Sequence, residues 1–476
     1  MKHLALLCCL IFPALLAAQA CDYERLFREG KTFARQRQYK KALYKFNSAR
    51  RCDPDKGETV DAAIEALLDQ VEGEKKAADK ALEELNKQQE RNERIINLFY
   101  FYDDRIALAS KNGMYGFIDK EGNTLIDFKY SEAIPFDETG YAHVFRYDNS
   151  YLIDTTGYEY LLANKISQLD SNTTALDLSG QNLDTIPEEV FMSEQLKILF
   201  LNNNNLGFLP SNIGQLSRLK VLDLSNNQLF DLPESIIELE NLETFNLGDN
   251  SFKVFPYVVN KLRNLKNLSF SNNKLNEWPD FERLEKLHNL DLSYNNLEFL
   301  PKTIGSLTEL KYLNISYNKL YEIPAEIGNL KKLKTLVLSE DSLHALPPAI
   351  GNLIELHSLD ISENSFFSIP PEIGKLQKLK SLNVMINEEY LYQGEDGVFL
   401  PYGYGKEVYL EQFPEEICLL KSLKYLNLSG NIIEHLPKKT VNLKNLRTLD
   451  TRNTFISNDE RYQLRTLMPW CEIIID

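Results

Sequence analysis

The last two thirds of this 476-residue chain repeat one leucine pattern at an almost constant step, and this repeat restricts the fold more than any other feature. The pattern reads L-x-x-L-x-L-x-x-N-x-L. Its last strand position recurs every 23 residues, except for one step of 22 and one of 44, and the step of 44 contains a 21-residue insertion. The sequence therefore predicts twelve repeats, at Leu178, Leu201, Leu224, Leu247, Phe270, Leu292, Ile315, Leu338, Ile361, Val384, Leu428 and Thr451.

The L-x-L part of the pattern is the alternation of a short β-strand, whose leucines face inward while the residue between them faces out. Parallel stacking of such strands, about 4.8 Å apart, buries a leucine column that no single repeat could bury alone. Residues 219–229 (LKVLDLSNNQL) and the I-G-x-L that begins at Ile304 closely resemble the leucine-rich repeat family. The resemblance implies an α/β repeat fold, a right-handed solenoid with a parallel concave sheet.

An asparagine follows the strand in most repeats. Its buried amide can satisfy backbone groups of neighbouring turns, as in the asparagine ladder of the family. Gln181, Asp341 and Thr454 replace it in three repeats, where we expect a less regular turn. The L-P-x-x-I-G-x-L segment on the far side predicts a turn or short helix opened by proline. The ladder residues are Asn204, Asn227, Asn250, Asn273, Asn295, Asn318, Asn364, Asn387 and Asn431.

Residues 1–20 have the form of a signal peptide, with a basic start, an apolar run and the small-x-small sequence Ala18-Gln19-Ala20. We expect cleavage before Cys21 and export to the periplasm, the cell surface or the medium. Lipid anchoring at Cys21 is the less favoured alternative, because the preceding residues lack the leucine of a lipobox. No other stretch is apolar enough to form a transmembrane span.

The next segment predicts a helical hairpin, which would bring Cys21 and Cys52 to the same end. We therefore predict a disulfide bond between these two cysteines, which export makes feasible. Residues 38–43 (QYKKAL) resemble part of one tetratricopeptide repeat. Cys418 and Cys471 lie too many repeats apart to pair, so we expect two isolated buried thiols.

Two further segments precede the solenoid. The first is rich in Ala, Glu, Lys and Gln and predicts a helical linker, and the second has strand residues with glycine turns and predicts a small antiparallel β module. Within it, residues 115–122 (YGFIDKEG) and 151–157 (YLIDTTG) resemble the WG repeat, with Tyr in place of Trp. The predicted division is a signal peptide at 1–20, a hairpin at 21–56, a linker at 57–100, a β module at 101–162 and a solenoid at 163–476, with an insertion at 388–409 and a cap at 457–476.

The sequence offers no chemistry typical of an enzyme. It contains no G-x-x-x-x-G-K-[ST], no CxxC pair and no G-x-S-x-G. His288 and His357 share a repeat position but lie about 14 Å apart, too far to bind one metal ion. The net charge of −16 disfavours broad binding to nucleic acid or anionic membranes. We expect a non-catalytic protein without cofactor or metal.

The residue between each pair of strand leucines predicts a polar and acidic concave face, in which Arg452 is the only obvious cation. Tyrosines concentrate in the central repeats and in the insertion, and such amphipathic side chains are typical of interface hot spots. We expect a protein or peptide partner, which the acidic rows favour as basic, and a glycan is the alternative. The candidate contacts are Phe200, Asp223, Asp291, Tyr294, Tyr312, Asn314, Tyr317, Asp360, Tyr390, Tyr392, Tyr402 and Tyr404.

Overall fold

The computed structural model describes residues 22–36, 38–86, 101–102, 105–137, 140–278, 281, 283–386, 391–393, 399–401 and 410–475. The chain divides into two compact units, Met1–Glu159 and Tyr160–Asp476. The first contains the N-terminal helices and the β module, and the second contains the repeats. Within the described residues, no helix is long and apolar enough to cross a membrane.

Helices open the first unit. They are α1 (Tyr23–Arg35), α2 (Tyr39–Cys52), a 3-10 turn (Pro54–Lys56) and α3 (Gly57–Asn86). The predicted linker thus starts as one helix, and its first half is part of the hairpin core. Val60, Ile64 and Leu67 recur at helical spacing and are buried in one cluster with Ala42 and Phe46. The hairpin therefore packs as three helices, because two alone would leave the apolar face of α2 in water.

The cysteines differ in state. Cys52 ends α2 and takes part in a disulfide bond. Its predicted partner, Cys21, lies outside the described residues, so their pairing stays a prediction. Cys418 and Cys471 are free and buried, as predicted. Burial raises the pKa of both thiols, that of Cys471 to about 11, and a protonated thiol is a poor nucleophile.

The β module consists of two antiparallel sheets with one shared core, in which Phe117 and Ile153 are fully buried. Gly116 is required where the strands of the first sheet meet, since a Cβ there would lie 2.7 Å from the carbonyl oxygen of Ile126. The strands are β1 (Phe101–Tyr102), β2 (Ile106–Lys111), β3 (Met114–Ile118), β4 (Thr124–Tyr130), β5 (Glu132–Ala133), β6 (Tyr141–Arg146) and β7 (Asn149–Asp154).

Two aspartates of this module form turns. Asp119 accepts a hydrogen bond from the backbone N–H of Asn123 at 2.6 Å, and Asp154 accepts one from that of Thr156 at 2.9 Å. Both carboxylates are therefore engaged in fixing the chain reversal between two strands.

The second unit has one three-residue strand for each of the twelve predicted repeats, and neighbouring strands pair in parallel along the described chain. This confirms the solenoid. Two flanking strands, β8 (Glu159–Ala163) and β23 (Glu472–Ile474), extend the sheet. The repeat strands are β9 (Ala175–Asp177), β10 (Ile198–Phe200), β11 (Val221–Asp223), β12 (Thr244–Asn246), β13 (Asn267–Ser269), β14 (Asn289–Asp291), β15 (Tyr312–Asn314), β16 (Thr335–Val337), β17 (Ser358–Asp360), β18 (Ser381–Asn383), β21 (Tyr425–Asn427) and β22 (Thr448–Asp450).

The middle residue of each strand points into the core. Leu199, Leu222 and Phe245 pair in register and are at most 1% exposed. The register continues past the insertion, where Ser381 pairs with Tyr425. The insertion itself contains a two-stranded antiparallel hairpin, β19 (Leu391–Gln393) and β20 (Phe399–Pro401).

The asparagine ladder joins successive repeats, as predicted. Asn250 is representative: its Oδ1 accepts a hydrogen bond from Leu229 N at 2.9 Å, and its Nδ2 donates to the carbonyls of Leu224, Leu247 and Gly248. One amide thus satisfies four backbone groups in two repeats. Asn387 lies outside the described residues.

Short helices cover the far side of the repeats. Glycine lets them stack closely, since a Cβ on Gly328 would lie 2.7 Å from the carbonyl oxygen of Ala349 in the next helix. Each 3-10 helix within the repeats follows a proline, as in the L-P pattern. They are Ser211–Gln215, Glu234–Glu238, Tyr257–Lys261, Lys302–Ser306, Ala325–Asn329, Pro348–Asn352, Pro371–Lys375, Glu415–Leu419 and Lys438–Asn442, with Ile166–Gln168 before the repeats, α4 (Glu188–Phe191) in the first repeat and α5 (Asn458–Leu467) in the cap.

Candidate interaction surface

The open face of the sheet consists of the first and third residues of the repeat strands. In six of the twelve repeat strands, among them β15 and β17, these two residues are half-buried while the middle residue is buried. Parallel register places equivalent residues side by side along the repeats. Three predicted contacts, Asp291, Asn314 and Asp360, thus belong to one continuous row, the third-position row.

Each acid of this row is engaged by the turn that follows its strand. Asp223 Oδ1 accepts hydrogen bonds from the backbone N–H and the hydroxyl of Ser225, at 2.9 and 2.6 Å. Asp291 and Asp360 bind the serine two residues later in the same way. Burial raises the pKa of Asp223. These residues were predicted as partner contacts, but the structure shows that each also fixes the end of its strand.

The second carboxylate oxygen points along the row. Asn314 Nδ2 lies 3.5 Å from Asp291 Oδ2, and Asn383 Nδ2 lies 3.2 Å from Asp360 Oδ2 in the preceding repeat. The row is therefore a network of acids and amides rather than a set of free carboxylates. Phe200 interrupts it, half-buried, between Asp177 and Asp223 in register.

Tyr294 and Tyr317, which we call the tyrosine pair, form the most distinctive group of exposed side chains on this surface. Their rings stack at a centroid distance of 4.0 Å and an interplanar angle of 9°. The two residues remain 49% and 40% exposed. The contact with Tyr294, together with burial, raises the pKa of Tyr317 to about 12, so the Tyr317 phenol is a neutral hydrogen-bonding group at physiological pH.

The pair occupies a backbone position that disfavours tyrosine. Tyr294 and Tyr317 have φ of 55° and 56°, in the left-handed region. Asparagine, which tolerates this conformation, occupies it in other repeats, as at Asn203, Asn226 and Asn272. A bulky side chain there costs roughly 1 kcal/mol. Such strain at an exposed aromatic pair is typical of functional sites.

The other predicted contacts do not all join the pair. Tyr312 begins β15, at the opposite end of the strand from Tyr317. Tyr392 lies in β19, and Tyr390, Tyr402 and Tyr404 lie outside the described residues.

Reading one position per repeat missed a second charged column. The residue just before each strand is basic in most repeats, and four of these residues, Lys334, Lys380, Lys424 and Arg447, are exposed. Reading the position three residues earlier in each repeat would have revealed it. The open face is thus acidic in its third-position row and basic along the edge where the strands begin.

No arrangement typical of an enzyme or a metal site emerges from the described side chains. Among them, no three His, Cys, Asp or Glu residues come together as metal ligands.

A groove of about 650 Å³ beside the last repeats is lined by three glutamates and His435. His435 Nδ1 lies 3.0 Å from Glu460 Oε2, and this hydrogen bond raises the pKa of His435. His288, on the open face, has a lowered pKa because of burial and the nearby charge of Lys311.

A family model described as a leucine-rich repeat region matches residues 175–299 and 270–392, and one described as a WG containing repeat matches residues 115–146. A leucine-rich repeat protein of Leptospira interrogans is 30% identical, with 66% of this chain and 99% of that chain covered and a TM-score of 0.46. An internalin of Listeria monocytogenes is 20% identical over 67% of this chain and 86% of its own, with a TM-score of 0.54. A TDR receptor is 30% identical over 61% of this chain and 48% of its own, with a TM-score of 0.52. No curated protein matches the sequence.

Proposed function

This chain belongs to the leucine-rich repeat proteins, and on that premise we propose that it is an exported, non-catalytic recognition protein that binds a protein or peptide partner on the open face of its sheet. The observation that carries the proposal is the tyrosine pair. Stacked, half-exposed aromatic rings present a large rigid area that loses little conformational entropy on binding. Asparagine adopts the same left-handed φ in other repeats at a lower steric cost, so the two tyrosines accept a strain that those turns avoid.

The surroundings of the pair favour a basic group on the partner. Glu340 occupies the same left-handed position in the next repeat, at φ 56°. The hydroxyl of Tyr317 contacts its carboxylate and opposes the rise in pKa that burial gives Glu340. Aromatic faces beside a carboxylate suit a lysine or arginine side chain, which gains both cation–π and ionic attraction.

Replacing both tyrosines by asparagine separates binding from folding. The Y294N/Y317N variant carries the residue that other repeats place at this turn, so we expect its stability to equal or exceed that of the natural chain. We expect the partner captured from the native extracytoplasmic fraction, once purified, to bind this variant at least tenfold more weakly, in line with the loss of two hot-spot aromatics. The control is Y321N, which removes a 52% exposed tyrosine four residues after Tyr317 in the same repeat.

Unchanged affinity of Y294N/Y317N would contradict the site assignment. The alternative is a glycan ligand, since the pair lies beside a row of amides and carboxylates that can bind sugar hydroxyls. A glycan array separates the two ligand classes. Retention of polysaccharide alone by the natural chain, and not by Y294N/Y317N, would replace the protein partner with a glycan.

Export rests on residues 1–20, which lie outside the described residues. We expect the mature chain to begin at Cys21 with a free amino group. Mass spectrometry of the N-terminal peptide from the native source tests this. A diacylglyceryl group on Cys21 would instead establish a lipid-anchored protein.

A further inference from the structure

We propose that the basic ridge, formed by Lys311, Lys334, Lys380, Lys424 and Arg447, binds an extended acidic segment of the polypeptide partner. This inference rests on the proposed role in partner binding and names a second contact, at the edge of the sheet where the strands begin. The tyrosine pair lies past the other end of the strands. A partner held at both edges would therefore present its acidic segment to one edge and its basic group to the other.

The ridge is one continuous column. Each member stands just before a strand, and the backbone hydrogen bonds run from His357 N to Lys334 O, from Lys380 N to His357 O, from Lys424 N to Lys380 O and from Arg447 N to Lys424 O. Five steps of about 4.8 Å give the ridge a length of about 24 Å. An extended peptide of about seven residues spans that distance.

The ridge side chains form no direct ion pair with an acid of the described chain. Glu309 and Glu355 attract Lys311 and Lys334 through space. Their ion pairs, however, are with lysines outside the ridge, Lys332 at 2.5 Å and Lys378 at 2.6 Å. No ion pair links a described acid to Lys334 or Lys380. In a protein with a net charge of −16, such an uncompensated column is an exception.

The same column behaves differently in earlier repeats. There Glu243 takes the equivalent position, and its carboxylate lies 3.5 Å from Lys220 Nζ and 2.5 Å from Lys266 Nζ. One carboxylate there pairs with two lysines, so part of the positive charge of that stretch is neutralised. Substitutions in the ridge can therefore be compared with control substitutions at Lys220 and Lys266, which lie in the same column.

The row beside the ridge favours a polypeptide over a sugar polymer. Its first-position residues in the central part are Thr335, Ser358 and Ser381, all half-buried hydroxyls. Hydroxyls can hydrogen-bond to peptide carbonyls and carboxylates, whereas the aromatic faces on which neutral sugar rings stack are lacking in this central part of the row. Aromatic residues flank the ridge only toward its ends, at Tyr312 and Tyr425 in the described strands.

The test measures binding of a fluorescein-labelled peptide of alternating glutamate and serine to the full chain by fluorescence anisotropy. K334Q/K380Q removes two uncompensated charges, and we expect it to raise Kd about three- to tenfold at low ionic strength. K220Q/K266Q removes the same number of charges from the same column, and we expect a change of less than about twofold, because Glu243 already holds both lysines in ion pairs. Binding to the natural chain should weaken toward about 0.15 M salt.

Equal effects of the two double variants would overturn the proposal, as would the absence of binding at low salt. A heparin oligosaccharide is the second probe. If K334Q/K380Q abolishes heparin binding and the peptide does not bind, the ridge is a polysaccharide site and the proposal fails. The Y294N/Y317N variant should bind the acidic peptide like the natural chain, so failure of the ridge and failure of the tyrosine site are distinguishable.

Discussion

Asp341 stands where other repeats have a ladder asparagine, and its replacement by asparagine should stabilise the protein in a pH-dependent way. Asp341 Oδ1 accepts a hydrogen bond from Leu320 N at 3.0 Å, as an amide oxygen would. Its Oδ2 is covered and has no hydrogen-bond donor among the described residues. In the neighbouring rung, Asn364 Nδ2 donates to three carbonyl oxygens, so Asp341 Oδ2 faces a place built for a donor.

The loss of folding stability caused by ionisation of Asp341 can be derived from the pKa of its side chain. Burial raises the pKa of Asp341 from 3.8 to about 7. Because the folded pKa lies above the unfolded one, folding favours the protonated acid. Stability is therefore highest below about pH 4, falls as the pH rises toward about 7 and is constant above that, with an upper bound of roughly 4 kcal/mol lost. Since the side chain as a whole is only half-buried, screening by water reduces our expectation to about 2 kcal/mol.

D341N supplies the missing donor and removes the titration. We expect it to slow hydrogen exchange around residues 338–343 roughly thirtyfold at about pH 8 and to have little effect at about pH 4. The reciprocal variant N364D should be destabilised at the higher pH and recover at the lower one. Equal stabilisation by D341N at both pH values, or a loss at the higher one, would refute the reasoning.

Four further variants test the asparagine ladder, the helix packing and the disulfide. N250A leaves four backbone groups unsatisfied and should cost about 2 to 4 kcal/mol in urea unfolding. G328A drives a Cβ against the next helix and should cost about 1 to 3 kcal/mol, whereas G207A, which meets nothing within 4 Å, should change stability by less than about 0.5 kcal/mol. C52S should cost the helical part about 3 kcal/mol, and peptide mapping of the oxidised natural chain should show a Cys21–Cys52 link.

The sequence predicted most of the fold because the solenoid is fixed by short-range spacing. Each repeat has its strand residues, its ladder amide and the glycine of its short helix at nearly constant distances along the sequence. The helical region was harder to predict. Val60, Ile64 and Leu67 had the spacing of an amphipathic face, but only the packing against α2 shows that the predicted linker begins inside a core.

The candidate site was predictable in position but not in role. Asp223 and Asp291 were selected because they face outward, and they do. Their bonds to the following serines depend on the turn geometry, which leucine spacing alone does not reveal. Lys334 and Lys380 escaped notice for the opposite reason, since they precede the strand and were not counted as part of its face.

In a repeat protein, each repeat can be compared with the others. A residue that differs from the common residue at its repeat position is more informative about function than a residue that recurs there. A residue that recurs at one position, such as the ladder asparagine, is explained by the repeat geometry. Tyr294 and Tyr317 depart from it at a cost in backbone strain, and Asp341 departs from it at a cost in desolvation. Because both costs lie within adjacent turns on one edge of the sheet, replacing the three residues together by asparagine should yield a more stable protein that no longer binds its partner. If that variant kept its affinity, the strain would have to be explained without function.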